Sequence, residues 1–262
     1  MPTSPPLPPY PEGHQLLAGK TVLVTASAGT GIGFATAKRC AEEGAEVVLS
    51  DLHERRLQEA ADSLEPIMGK RPTAILCNVT QEDQVQALFD GAIDATGGVD
   101  ILVNNAGLGG TSDLLEMSDE QWSSVLDVTL NGTMRCTRAA MRHMKSRGHG
   151  AIVNNASVIG WRAQAGQCHY AAAKAGVMAL TRCAAIEAAA FNVRINAVSP
   201  SLAMHPYLAK VTSDELLAEL SQKEAFGRAA EPWEVANVIV FLASDYASYM
   251  TGEVVSVSSQ HA

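Results

Sequence analysis

The 262-residue chain has no apolar run approaching the roughly 20 residues that a bilayer-crossing helix needs. Its most apolar stretch, around residues 235–243, is interrupted by Asn237. The N-terminus lacks the basic start and apolar segment of a secretory signal, so a cytoplasmic location is expected. Cysteine is scarce and odd in number: five residues with no C-x-x-C pair exclude a disulfide framework and a zinc site, and no metal is expected. Basic residues are outnumbered, 19 against 28 acidic, and the net charge of −9 argues against nucleic acid as the main partner. Aromatics make up only 5%, yet apolar residues reach 47% and charged residues 18%, the balance of a packed globular protein. That length suits one large α/β domain.

Proline is concentrated at one place. Six of the first eleven residues are proline, which fixes φ and donates no backbone hydrogen bond. Residues 1–15 are therefore expected to form a disordered, solvated tail, with a PxxP ligand as the weaker reading. The domain is expected to span 16–262, without linker or repeat.

Its rhythm is strand then helix. Short β-branched runs occur at 21–25, 46–50, 73–77, 101–103, 151–154, 193–198 and 253–257. Helical segments are expected at 31–43, 54–64, 81–96, 119–146, 168–190 and 232–244. Nearly continuous apolar strands alternating with helices imply a parallel sheet covered on both faces. Right-handed crossovers make it a doubly wound α/β fold, with ligands at the C-terminal ends of the strands.

Motifs collect at those ends. The first strand runs into Thr25-Ala26-Ser27-Ala28-Gly29-Thr30-Gly31-Ile32-Gly33 and then a helix. Glycines there permit a tight turn and let a pyrophosphate approach the N–H groups that open the helix. About twenty residues on, Asp51 ends the second strand, where a carboxylate can accept from both adenosine ribose hydroxyls and repel a 2′-phosphate. NAD is thus favoured over NADP, although Arg55 and Arg56 lie nearby and Asp51 could simply cap the next helix. Tyr170 and Lys174 are four apart in an alanine-rich helical segment and share a face. An ammonium there is expected to lower the phenol pKa toward a working range for proton transfer. Ser157, thirteen residues before Tyr170 and just past a strand, could hold a substrate oxygen or serve as a turn serine.

With these features in place, the chain resembles the short-chain dehydrogenase/reductase family from residue 20 onward. The marks are the turn from Thr25 to Gly33, Asn104-Asn105-Ala106-Gly107, Ser157, and Tyr170-Ala171-Ala172-Ala173-Lys174. The resemblance implies a single-domain Rossmann fold with a seven-stranded sheet in order 3-2-1-4-5-6-7 and hydride transfer at nicotinamide. Tyr170 would be the acid/base, Ser157 would orient the substrate oxygen, and Lys174 would bind the nicotinamide ribose. Cofactor contacts would come from Thr25, Ser27, Gly29, Thr30, Gly31, Ile32, Gly33, Asp51, Asn78, Val79, Asn105, Ala106, Gly107, Tyr170, Lys174, Pro200, Ala203 and His205. Homotetramers or homodimers through the two long helices are also implied.

Several positions depart from the family pattern. Ala26 stands where a glycine usually follows the threonine, in a turn one residue longer. Asn78 replaces an aspartate near the adenine; its amide oxygen is expected to accept from an amino group. Thr129 stands where the family has a catalytic asparagine that kinks its helix, so a modified relay with a water on the Thr129 hydroxyl is expected. Asn131, about 200° round the helix, should face elsewhere. Ala203 and His205 replace isoleucine and threonine beside the cofactor.

The segment 201–225 corresponds to the family's substrate lid and interleaves Met204, Tyr207, Leu208, Leu216, Leu217 and Leu220 with Lys210 and Lys223. Trp161-Arg162 pairs an aromatic with a cation across the cleft. The runs 154–164 and 252–260, with Thr129, resemble an actinobacterial branch of the family in steroid ring catabolism, acting on a bicyclic hydrindane-type CoA thioester with NAD. A small CoA-linked alicyclic alcohol or ketone is the expected partner, with neither nucleic acid nor membrane. An NADPH-dependent 3-oxoacyl-thioester reductase is the alternative enzyme, and a non-catalytic dinucleotide sensor the alternative class. A CoA ligand requires cations at the cleft, for which Arg162, His205 and Lys210 are the candidates.

Overall fold

The computed structural model describes residues 7–204 and 214–259. Seven strands, β1 (Thr21–Thr25), β2 (Glu46–Asp51), β3 (Thr73–Leu76), β4 (Ile101–Asn104), β5 (Gly150–Asn155), β6 (Val193–Pro200) and β7 (Val254–Val257), form one parallel sheet in order β3-β2-β1-β4-β5-β6-β7. Along β1, Val22 and Val24 face one core and Leu23 the other, the two-residue period of a strand covered on both sides. The first core packs β1 and β2 against α1 (Ile32–Glu42), α2 (Glu54–Met68) and α8 (Pro232–Ala243) through Ala37, Leu57, Val235 and Ile239. The opposite core uses α3 (Glu82–Thr96), α5 (Gly132–Arg147) and α6 (Cys168–Ala189), with Leu88, Cys136, Met144 and Ala184. Strand order reverses between β1 and β4, opening a crevice beyond Thr25 and Asn104. A further helix, α7 (Asp214–Lys223), precedes α8.

One expectation needs correction. The helix expected over 119–146 is broken into α4 (Asp119–Leu126), a π-helical turn (Asp127–Asn131) and α5, with the Gly132 N–H bonded to Asp127 O. The bulge lets the buried Thr129 side chain reach Leu108, and Gly132, lacking a β-carbon, lets Val79 pack against the turn. The proline-rich segment, largely exposed where described, makes specific contacts with the domain over residues 10–16. The Tyr10 hydroxyl donates to Glu42 at 2.6 Å, and its ring meets Trp233 edge-on with centroids 5.4 Å apart. Pro11 O accepts from Arg39, while the His14 and Leu16 N–H groups donate to Glu43. Proline bars this segment from helix and central strand, but an extended chain needs only external partners, which α1 supplies.

Candidate active site

The turn after β1 is built for a close approach. Ala26 adopts φ +48°, the left-handed region in which the family's usual glycine is at home. Its carbonyl accepts from Asn105 Nδ2 at 3.0 Å, which holds the strained residue in place. A β-carbon at Gly33 would collide with that carbonyl and that amide, so the first turn of α1 can lie against β1 only with glycine there. Around Gly29 the same addition would meet nothing within 4 Å, and Thr30 is exposed. Gly31 caps α1 without any side-chain bond, and no acidic residue occupies the first turn. The opening N–H groups of α1, with Ile32 among them, thus face an open cradle suited to a pyrophosphate. Ser27 is fully buried and exchanges hydrogen bonds with Ser50, tying the turn to β2. Asp51 accepts from the Ala28 N–H at 3.1 Å and the His53 N–H at 3.0 Å, which leaves acceptor positions for a diol. Burial pushes its carboxyl up from the ordinary value, against the Ala28 bond and the Arg56 charge. These residues fit a dinucleotide.

Beyond β4, Thr25 Oγ1 accepts from both the Asn105 and Ala106 N–H groups, shaping the wall that ends in exposed Gly107. The Asn105 side chain braces the wall: it donates to Ala26 O and accepts from Asn155 Nδ2 at 3.0 Å. On the adenine side, the acceptor expected of Asn78 is occupied, because its Oδ1 takes both the N–H and the hydroxyl of Thr80. Val79 is buried and its carbonyl accepts from Arg135.

Ser157 follows β5, and α6 carries Tyr170 and Lys174 one turn apart, as their spacing requires. Lys174 is only 3% exposed; its Nζ lies 5.6 Å from the Tyr170 ring centroid and donates to Asn155 O at 2.5 Å. The phenol is not lowered as expected. Burial pushes Tyr170 up to about 12, and the hydrogen bond with Ser157 works against that rise. The same dryness brings Lys174 down to about 8. The ammonium sits over the ring and points to a carbonyl, so desolvation outweighs its charge. Thr129 is sealed in, with Oγ1 accepting from the Leu108 N–H at 3.0 Å and donating to Leu108 O at 3.2 Å. Its hydrogen is therefore committed to the β4–α4 loop, not to a water. Asn131 does face away, bonding Asp127 on the outer side.

The far rim is formed by Pro200 at the end of β6 and by Ala203, buried and bridged to Ala230. His205, Tyr207, Leu208 and Lys210 lie outside the described residues. Arg162 is half-buried, its N–H donating to Val158 O and its guanidinium with no partner among the described residues, beside an exposed Trp161. Sequence reasoning gave Asn155 no role of its own. Its signal was available: Asn104-Asn105 and Asn154-Asn155 are doublets at the ends of neighbouring strands, and Asn104 pairs with Asn154 in register.

The sequence model of a family described as Enoyl-(Acyl carrier protein) reductase matches residues 26–259. The (5R,7aS)-5-hydroxy-7a-methyl-1-oxo-2,3,5,6,7,7a-hexahydro-1H-indene-carboxyl-CoA reductase of Mycobacterium tuberculosis is 61% identical over 250 residues, covering 95% of each chain. A 3-oxoacyl-acyl-carrier-protein reductase of Thermotoga maritima is 39% identical, over 92% of this chain and 97% of its own. Among solved structures, a short chain dehydrogenase from Mycobacterium smegmatis superposes with a TM-score of 0.87 at 58% identity, covering 97% of this chain and 98% of the other.

Proposed function

Because this chain belongs to the short-chain dehydrogenase/reductase family of nicotinamide-dinucleotide oxidoreductases, we propose that it interconverts a secondary alcohol and a ketone on an alicyclic CoA thioester, with NAD. The observation that carries the reading is the convergence of Ser157, Tyr170 and Lys174 at the strand ends in a chain 61% identical to a CoA-thioester reductase. Tyr170 gives its proton to the substrate oxygen in reduction and takes it back in oxidation. Ser157 holds that oxygen by a hydrogen bond and so fixes which carbon faces the cofactor. Lys174 holds positive charge beside the phenolate and would bind the nicotinamide ribose. The nicotinamide, when bound, gives or takes the hydride. Asp51 supports NAD, since a carboxylate there welcomes ribose hydroxyls and repels a 2′-phosphate.

Arg162 is the described cation available to the CoA phosphates. The outer faces of α4, α5 and α6, with Ile186 strongly exposed, support a homodimer or homotetramer. Free thiols at all five cysteines suit the cytoplasm. The second reading, a 3-oxoacyl-thioester reductase using NADPH, is favoured by the 39% identity to such an enzyme. Steady-state assays with hydrindane-type CoA thioesters and simple 3-oxoacyl thioesters, each with NADH and NADPH, separate the two. We expect kcat/KM at least about 10-fold higher for the bicyclic thioester and for NADH. The opposite order on both axes would establish the second reading instead.

A further inference from the structure

We propose that Asn155 is a positioning residue for the proton-transfer centre: it fixes Lys174 through its carbonyl and locks that carbonyl, through its side chain, to the dinucleotide turn. This rests on the reaction proposed above and adds a residue to it. The connection is continuous. Lys174 Nζ donates to Asn155 O at 2.5 Å, Asn155 Nδ2 donates to Asn105 Oδ1 at 3.0 Å, and Asn105 Nδ2 donates to Ala26 O at 3.0 Å. Asn155 is the last residue of β5: the Ala156 N–H in the same peptide plane donates to Val198 O at 2.8 Å, and the Asn155 side chain adds a second hold, the one that couples that carbonyl to the dinucleotide turn.

Two further observations separate this from ordinary packing. Asn155 Oδ1 is sealed from solvent with no partner among the described residues, an arrangement that costs about 1–3 kcal/mol and that a merely structural position would shed by becoming apolar. Lys174, in turn, has no other hydrogen bond among the described residues. Thr129, the residue facing the site from the π-helical turn, is closed onto Leu108, so the lysine's anchor comes from β5 and not from the helix. Around the ammonium stand the Tyr170 ring on its own helix, Gly107 on the β4–α4 loop and Asn155 on β5; among the described residues no carboxylate and no second cation acts on it.

The test uses the full chain and has two readouts. The first is the pH midpoint of the Lys174 side-chain ε-carbon resonance in the protein without cofactor, assigned by its disappearance in Lys174→Arg. In Asn155→Val the loosened carbonyl should lower that midpoint. In Asn155→Asp the added carboxylate should raise it by about one pH unit. The second is turnover, where Asn155→Val should lose about 10- to 100-fold in kcat with its Tm close to wild type. Midpoints that stay put, or move the same way in both variants, overturn the proposal, as does a loss of kcat and Tm together with an unmoved midpoint. Should Asn155→Val fail to fold, Asn155→Asp decides alone, since a midpoint that does not rise is fatal. A wild-type chain that turns over none of the alcohols or ketones offered, while the midpoints move as expected, rejects the proposed reaction and leaves the brace standing.

Discussion

The two ends of the sheet treat charge in opposite ways. At the N-terminal end of β4, Asp100 accepts from the Thr21 N–H at 2.8 Å and meets Arg147 at 2.9 Å and His149 at 3.1 Å. Burial alone would raise its carboxyl, but the Thr21 and His149 hydrogen bonds and the Arg147 charge hold it below the ordinary value. Nearby, buried Arg39 and Glu43 pair at 2.6 Å. At the C-terminal end, Asp51 and Lys174 are buried with no salt bridge among the described residues, and burial disfavours the charged form of each. One end sets its charges in pairs. The other meets its charges with hydrogen bonds but with no ion pair among the described residues, a condition in which a ligand gains by arriving.

The contrast is broken most severely by Tyr170→Phe, which should cut turnover by about 10²- to 10⁴-fold while dinucleotide affinity and Tm stay near wild type. Steady-state kinetics with a fluorescence titration of the cofactor would check it. The reverse pattern is expected at the other end. Glu43→Ala leaves the Arg39 guanidinium buried beside Tyr10 with only the more exposed Glu42 as counter-charge. Denaturant unfolding should show a loss of about 3–5 kcal/mol, with kcat per folded molecule retained.

Smaller in effect is Asp51→Ser. It should reduce the preference for NADH over NADPH by about 10- to 100-fold, because a carboxylate facing a 2′-phosphate costs several kcal/mol, without loss of unfolding stability. The gentlest test is pH. His143 Nε2 accepts from the Val99 N–H at 3.0 Å, so the folded state needs its ring neutral there. Burial and the Arg147 charge lower its pKa. The unfolded chain therefore binds this proton first, near pH 6.5, and stability falls as pH drops below that value toward the folded pKa. A second decline begins near pH 4 as the unfolded chain protonates its carboxylates ahead of Asp100. Calorimetric Tm between pH 7.5 and 5 should drop by a few degrees, and His143→Gln should flatten that segment.

Much of this architecture was legible from sequence because it depends on short-range pattern. A parallel, doubly wound sheet followed from apolar runs separated by helices, its strand order from the family resemblance, the cradle from glycines after β1, and the shared face of Tyr170 and Lys174 from a spacing of four. What stayed hidden depends on partners distant in the chain. Asn78 and Thr129 carry groups that can serve a ligand, and only the fold shows Thr80 and Leu108 already occupying them. The direction of the Tyr170 shift is set by how much water the surrounding loops exclude, which spacing does not encode. Nor could six prolines announce that Tyr10 would find Trp233.

The π-helical turn at Asp127–Asn131 has a consequence for how such a chain can change length. A π turn holds one residue more than an α turn closing the same span, so the surplus is absorbed locally. Elsewhere in a helix, losing one residue rotates everything downstream by about 100° and moves a buried face into water. Within these five positions alone, α4 and α5 could lose a residue and keep both of their faces in phase. The long helix thus carries a built-in site for a single-codon deletion, one that would undo the Thr129–Leu108 clasp while leaving the cores on either side undisturbed.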